Sequence, residues 1–162
     1  MTQTALAELY ARQAPAARRL AYLLTGDTRL AEDIVQDRFV KLASRLRPVD
    51  NPEPYLRRMV LNASHSHHRK LRVRRDRARE EAATIGADSD TTPDGADGRA
   101  DRARLLDALD TPPSRQRSAV VLRHWLDLSE QECARELGCS VGTVKSLASR
   151  GRAALRLSLE NA

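Results

Sequence analysis

The sequence predicts an all-α protein: two small helical domains joined by a flexible linker, the second ending in a helix-turn-helix. Three observations carry this. Aromatic residues make up only 3% of the 162 residues, so the cores must be built from Leu, Val and Ala, which suits packed helices better than sheets. Apolar residues recur at helical spacing through two blocks, 1–82 and 99–162. Between them, residues 83–98 (ATIGADSDTTPDGADG) are acidic, small and almost free of apolar side chains. Such a segment cannot bury enough surface to offset its ordering entropy, and is expected to be a linker.

The first block opens with a helix over about 4–25, with Leu6, Leu9, Tyr10, Leu20, Leu23 and Leu24 as its apolar set. Pro15 either starts a second helix there or kinks the first. Gly26 ends the unit, and Asp27 or Thr28 caps the next. That helix, about 29–45, buries Leu30, Ile34, Val35, Phe39, Leu42 and Leu46 and shows Glu32, Asp33, Gln36, Asp37 and Lys41 on its other face. Pro48, Pro52 and Pro54 force a break. A long helix follows over about 53–79, with Tyr55, Leu56, Met59, Val60 and Ala63 inward. Its end carries Arg69, Lys70, Arg72, Arg74, Arg75, Arg77 and Arg79, seven cations in eleven residues. That exceeds what a solvated helix end requires and reads as a phosphate-binding surface.

In the second block, 99–109 is amphipathic through Leu105, Leu106 and Leu109, and Thr111–Pro113 turn the chain. A helix over 114–125 buries Val120, Val121 and Leu122, and Trp125, Leu126 and Leu128 lead onward. Ser129 and Glu132 have the spacing of a capping box. Cys133, Ala134 and Leu137 form the inner face of the helix they start. Gly138 stands where a tight turn needs positive φ. Ser140 caps a last helix, with Val144 and Leu147 inward. Apolar or small residues thus fill each constrained position of a helix-turn-helix. The outward face offers Thr143, Lys145, Ser146, Ser149, Arg150 and Arg152, hydrogen-bond donors suited to a DNA major groove.

The chain carries 28 basic against 22 acidic residues, a net +6, with both blocks cationic: 17 against 10, and 11 against 8. The balance implies a polyanionic partner. Cys133 and Cys139 sit at core positions of the motif, where a thiol acts as a small apolar side chain. His65, His67 and His68 lie in a basic flank without an acidic or thiol partner, so no metal is expected there. There is no metal-ligand spacing, nucleophile motif or Gly-rich phosphate loop, hence no cofactor and no enzyme. Without a signal-type or membrane-length apolar run, a cytoplasmic location is expected and no membrane partner.

With these elements in place, the chain resembles a small actinobacterial extracytoplasmic-function sigma factor, of the sigma-70 family, with two conserved domains. LYARQAPAARRLAYLLTGDTRLAEDIVQDRFVKL is similar to the sigma-two polymerase-binding helices, and PYLRRMVLNASHSHHRK to the segment that opens and reads the −10 element. PPSRQRSAVVLRHWLDLSEQECARELGCSVGTVKSLASRGRAALR is similar to the sigma-four domain. The resemblance implies that residues 1–82 dock on core RNA polymerase and read and melt the −10 element, and that residues 99–162 read the −35 element. It implies that Asp33, Gln36 and Asp37 meet the β′ clamp coiled coil. Tyr55 and Asn62 match −10 recognition, by base stacking and by a base-edge hydrogen bond. Arg69, Lys70, Arg74 and Arg75 lie on the same −10 side. Lys145, Ser146, Ser149 and Arg150 match the −35 reading face, with Thr143 and Arg152 better placed for phosphates. The implied partners are core RNA polymerase, through the β′ clamp coiled coil and the β flap, and promoter DNA; an anti-sigma factor is a further candidate.

Two departures stand out. The connection VDNPEPYLRR is shorter than the family pattern and lacks a further aromatic, and Arg38 stands where small residues are usual. A stand-alone helix-turn-helix regulator is the alternative reading, and a polymerase-binding protein that reads no DNA is a third.

Overall fold

The computed structural model describes residues 2–45, 48–82 and 96–162, with backbone but not side chains at 68–72, 74–76, 78–82 and 96–97. Among the described residues there are seven helices: α1 (Gln3–Thr25), α2 (Thr28–Ala43), α3 (Pro52–Ala82), α4 (Ala96–Asp110), α5 (Ser114–His124), α6 (Glu130–Leu137) and α7 (Val141–Glu160). The first three pack together, and the last four form a second unit.

Local rules explain most boundaries. Thr2 starts α1 by accepting from the Ala5 N–H at 3.1 Å. Gly26 ends it in the left-handed conformation, φ 73°, donating to Tyr22 O at 2.7 Å. Asp27 then caps α2 through Oδ1, 3.0 Å from the Leu30 N–H. Pro15 neither starts a helix nor divides one: α1 is continuous through it. The proline and Ala11, whose carbonyl loses its N–H partner, are both exposed, so that carbonyl can be solvated. Meanwhile Leu9, Ala14, Ala17, Leu20, Ala21 and Leu24 bury the opposite face.

The first core joins those residues to Ile34, Val35, Phe39 and Leu42 of α2 and Leu56, Val60 and Ala63 of α3. The Tyr10 ring meets Phe39 edge-on at 4.8 Å. Leu46 lies outside the described residues. On α3 the expected stripe is shifted: Tyr55 and Met59 are only half-buried, while Leu61 and Ser64 are buried. The cause is the second unit. Arg57, Leu61 and His65 stand four residues apart on one side of α3. Arg57 pairs with Glu136 of α6 at 3.1 Å, and His65 shares a hydrogen bond with buried Ser118 of α5. Arg58 donates to the Arg135 carbonyl of α6 at 3.0 Å. A cleft of about 440 Å³ beside this contact is lined by Leu20 and Leu56 from one unit and Trp125, Leu126 and Leu128 from the other.

The second unit is built round two residues that sequence patterning does not single out. Arg117 is buried and closes the end of α4, donating to the carbonyls of Leu109, of Asp110 at 3.2 Å and of Pro112 at 2.8 Å. Gly151 of α7 lies against α5 so closely that a Cβ there would sit 2.5 Å from Val120 Cγ2 and 2.8 Å from Gln116 O. α4 begins at Ala96, inside the stretch 83–98 expected as a linker; residues 83–95 lie outside the described residues.

Candidate promoter and polymerase interfaces

The helix-turn-helix forms as its residues dictate. Ser129 Oγ accepts from the Glu132 N–H at 3.1 Å, and Glu132 Oε2 accepts from the Ser129 N–H at 2.7 Å, a complete capping box. Those hydrogen bonds hold the Glu132 carboxyl below its ordinary range. Gly138 turns the chain at φ 64°, and Ser140 Oγ caps α7 by accepting from the Thr143 N–H at 3.1 Å. Val144, Ala148, Gly151 and Leu155 are the buried side of α7. Leu137, Cys139 and Leu147 are half-buried rather than fully inside, since they sit at the rim of this short motif. Cys133 is fully buried, and desolvation pushes its thiol up to about 11, which suits an inert packing role.

Thr143, Lys145, Ser146, Ser149, Arg150 and Arg152 are all exposed; Thr143, Ser146, Ser149 and Arg150 fall opposite the buried stripe of α7, with Lys145 and Arg152 on its flank. They are not equivalent. The Thr143 hydroxyl is engaged with Ser140 Oγ at 2.9 Å. Lys145 Nζ lies 3.7 Å from the Glu130 carboxylate. Arg152 stands beside His124 and Trp125 at the rim of an apolar groove. Burial there, with the Arg152 and Arg123 charges, holds the His124 imidazole below its ordinary range.

On α3, Tyr55 and Asn62 are one heptad apart on one side; Asn62 is exposed and Tyr55 half-buried. The Arg45 guanidinium lies 4.5 Å above the centre of the Tyr55 ring. One ring face is therefore covered by a cation, a contact that spacing alone does not reveal because Arg45 belongs to the preceding connection. The side chains of Arg69, Lys70, Arg74 and Arg75 lie outside the described residues.

Asp33, Gln36 and Asp37 are exposed together on α2. Gln36 donates to Glu32 Oε1 at 3.1 Å, and Glu32 is paired with Arg18 at 2.6 Å. Asp37 is gripped by Arg38 and by Lys41 at 3.2 Å, and the Lys41 hydrogen bond, with Arg38, holds its carboxyl below the usual range. Arg38 thus ties down the carboxylate before it. Among the described residues, no group of His, Cys, Asp and Glu is arranged to hold a metal ion, and no helix is long and apolar enough to cross a membrane.

The fold and these faces define a class: an all-α DNA-binding protein with a helix-turn-helix in one unit and an exposed polar face on α2 in the other. Residues 9–74 match the family model for sigma-70 region 2, and residues 102–155 that for sigma-70, region 4. An RNA polymerase sigma-E factor of Streptomyces avermitilis is 36% identical over 146 residues, which cover 88% of this chain and 78% of that one. The ECF RNA polymerase sigma factor SigE of Mycolicibacterium smegmatis is 35% identical over 157 residues, covering 92% of this chain and 59% of that one. Among solved structures, the sigma factor RpoE in complex with the anti-sigma factor NepR from Bartonella quintana superposes with a TM-score of 0.69 at 27% identity, over 94% of this chain and 95% of that one. CnrH, in complex with the cytosolic domain of CnrY, shares the fold: TM-score 0.72 at 24% identity, over 99% and 90% of the two chains. The chain belongs to the extracytoplasmic-function sigma factors of the sigma-70 family. It is a non-catalytic subunit that binds core RNA polymerase and promoter DNA and directs transcription initiation.

Proposed function

We propose that the two units divide promoter recognition between them. Residues 1–82 dock on the β′ clamp coiled coil through Asp33, Gln36 and Asp37 of α2 and read an opened −10 strand from α3. Tyr55 stacks on a base with the ring face that Arg45 leaves free, and Asn62 hydrogen-bonds a base edge. Arg69, Lys70, Arg74 and Arg75 hold phosphates along the same helix. Residues 99–162 read the −35 duplex, with Lys145, Ser146, Ser149 and Arg150 on base edges and Thr143 and Arg152 towards the backbone, and meet the β flap. The chain acts in the cytoplasm, alongside polymerase. An anti-sigma factor is a partner this reading admits, since a relative of the same fold is held by one.

The observation that carries this reading is the sidedness of α7. Its buried stripe is spent on α5 and α6, which leaves every donor on the opposite half in solvent. Run-off transcription with core enzyme and a promoter library tests it. Start sites should share −10 and −35 elements, and Asn62→Ala and Arg150→Ala should each relax preference at one element only. A chain that bound paired duplex half-sites without polymerase would instead be working as a stand-alone regulator.

A further inference from the structure

Arg57 and Arg58 are adjacent on α3, the helix assigned above to the −10 strand, yet neither is among the residues given a contact there. Both guanidinium groups are taken up by the end of α6. Arg57 Nη1 lies 3.1 Å from Glu136 Oε1, and Arg58 Nη2 donates to the Arg135 carbonyl at 3.0 Å. That end of α6 offers a carboxylate and the negative pole of a helix, with the exposed Arg135 cation in the same turn. Glu136 is deeply set, its side chain 3% exposed, and its Oε2 has no hydrogen-bond donor among the described residues. A carboxylate with adjoining carbonyl oxygens presents to two arginines what a phosphodiester presents: charge with several acceptors.

The contact cannot persist on a promoter. Elements named for positions −10 and −35 lie about 25 base pairs apart, ~85 Å at 3.4 Å per pair. Here α3 and α6 touch, so the units that read those elements have to part. We propose that Arg57 and Arg58 form a nucleic-acid phosphate site, which the C-terminal end of α6 occupies in the closed chain. Strand phosphate and the end of α6 then compete for the same two guanidinium groups, so opening of the units and uptake of DNA are one exchange. The pairing is suited to exchange. Burial pushes the Glu136 carboxyl above its ordinary value, so its ionised form gains when water returns to it.

The proposal rests on the assignment of α3 to promoter contact, and the test separates the two. The full chain is titrated with a labelled single-stranded oligodeoxynucleotide that carries no promoter sequence, and its radius of gyration is measured by X-ray scattering. Glu136→Gln should expand the chain and tighten binding by the reciprocal of the open fraction, about tenfold where one chain in ten is open. Arg57→Ala with Arg58→Ala breaks the same contact and should also expand the chain. It should nevertheless lower the salt slope of binding by about 1.4, for two lost phosphate contacts. Opposite effects on DNA from variants that open the same contact are the signature of a shared site. Glu136→Leu, which fills similar volume without charge, repeats the first arm if Glu136→Gln lowers the helical circular dichroism. Unchanged affinity in an expanded, folded Glu136 variant overturns the proposal, as does an unchanged radius of gyration. So does an unaltered salt slope in the double arginine variant. Because the probe has no promoter sequence, loss of −10 discrimination by Asn62→Ala with core polymerase reports on α3 separately.

Discussion

Gln36 donates to Glu32 at 3.1 Å, and Glu32 is itself held by Arg18 at 2.6 Å. A residue assigned to polymerase docking is thus oriented by a chain of polar contacts that ends on α1. Asp37 is likewise paired with Arg38 and Lys41, which leaves Asp33 as the proposed docking carboxylate with no described ion pair. Asp33→Lys combined with Gln36→Ala should leave the fold within about 0.5 kcal/mol of the parent, as for other exposed changes. It should abolish co-purification with core polymerase, because the complementary polar contacts are gone. A folded double variant that still binds core enzyme as tightly as the parent would remove α2 from the interface.

The capping box sets a pH dependence for the start of α6. Glu132 is held below its ordinary value of 4.5 by its hydrogen bonds with Ser129. A depressed folded value means that the stabilisation is complete above the unfolded value and is lost as pH falls through the folded one. Glu132→Ala should therefore destabilise the chain near neutral pH, and the difference should shrink as the pH drops past 4.5. Ser129→Ala removes the reciprocal acceptor and should cost about 1 kcal/mol. Urea unfolding across that range measures both. A Glu132→Ala difference that did not vary with pH would show that the carboxylate contributes nothing as an anion.

Arg150→Ala should weaken recognition of a −35 element by about 1–3 kcal/mol, with the largest loss on the cognate sequence. Competition binding with holoenzyme, cognate against mismatched duplexes, reads this directly. Equal loss on every duplex would place Arg150 among the phosphate contacts instead.

Arg117→Ala should destabilise the second unit by at least about 2 kcal/mol, because the carbonyls of Leu109, Asp110 and Pro112 lose their donor in a buried place. Arg117→Lys should recover only part of that, since one ammonium cannot reproduce the fork. Denaturation midpoints of the three proteins decide it. Equal midpoints for parent and Arg117→Ala would mean that α4 ends without this residue's help.

What could be read from the chain divides along physical lines. Ser129, Glu132, Gly138 and Ser140 act on backbone groups within a turn or so of themselves, and each does what its identity requires. The same holds for Asp27 and Gly26. Pro15 misleads because tertiary burial of its neighbours outweighs the local loss of one hydrogen bond. Glu136 and Arg57 were invisible to pattern because each is explained only by the other, 79 residues away. A buried glutamate in EQECAREL reads from sequence as one more solvated position. The exposed donors of α7 were legible as a face, but the division of labour within it was not. The Thr143 hydroxyl's bond to Ser140 and the neighbourhood of Lys145 with Glu130 depend on rotamers and on the angle between α6 and α7.

Gly151 bears on how this sigma factor could acquire new promoters. Val120 Cγ2 and Gln116 O leave no room for a β-carbon at Gly151, so α7 packs closely on α5 at this point. A side chain at this position would push α7 away from α5 and change the pitch at which the helix is offered to a groove. Divergence in target sequence is channelled into exchange of the outward side chains, one base pair at a time. Paralogues that keep this glycine contact should differ in which letters they prefer while retaining the same footprint and spacing on DNA.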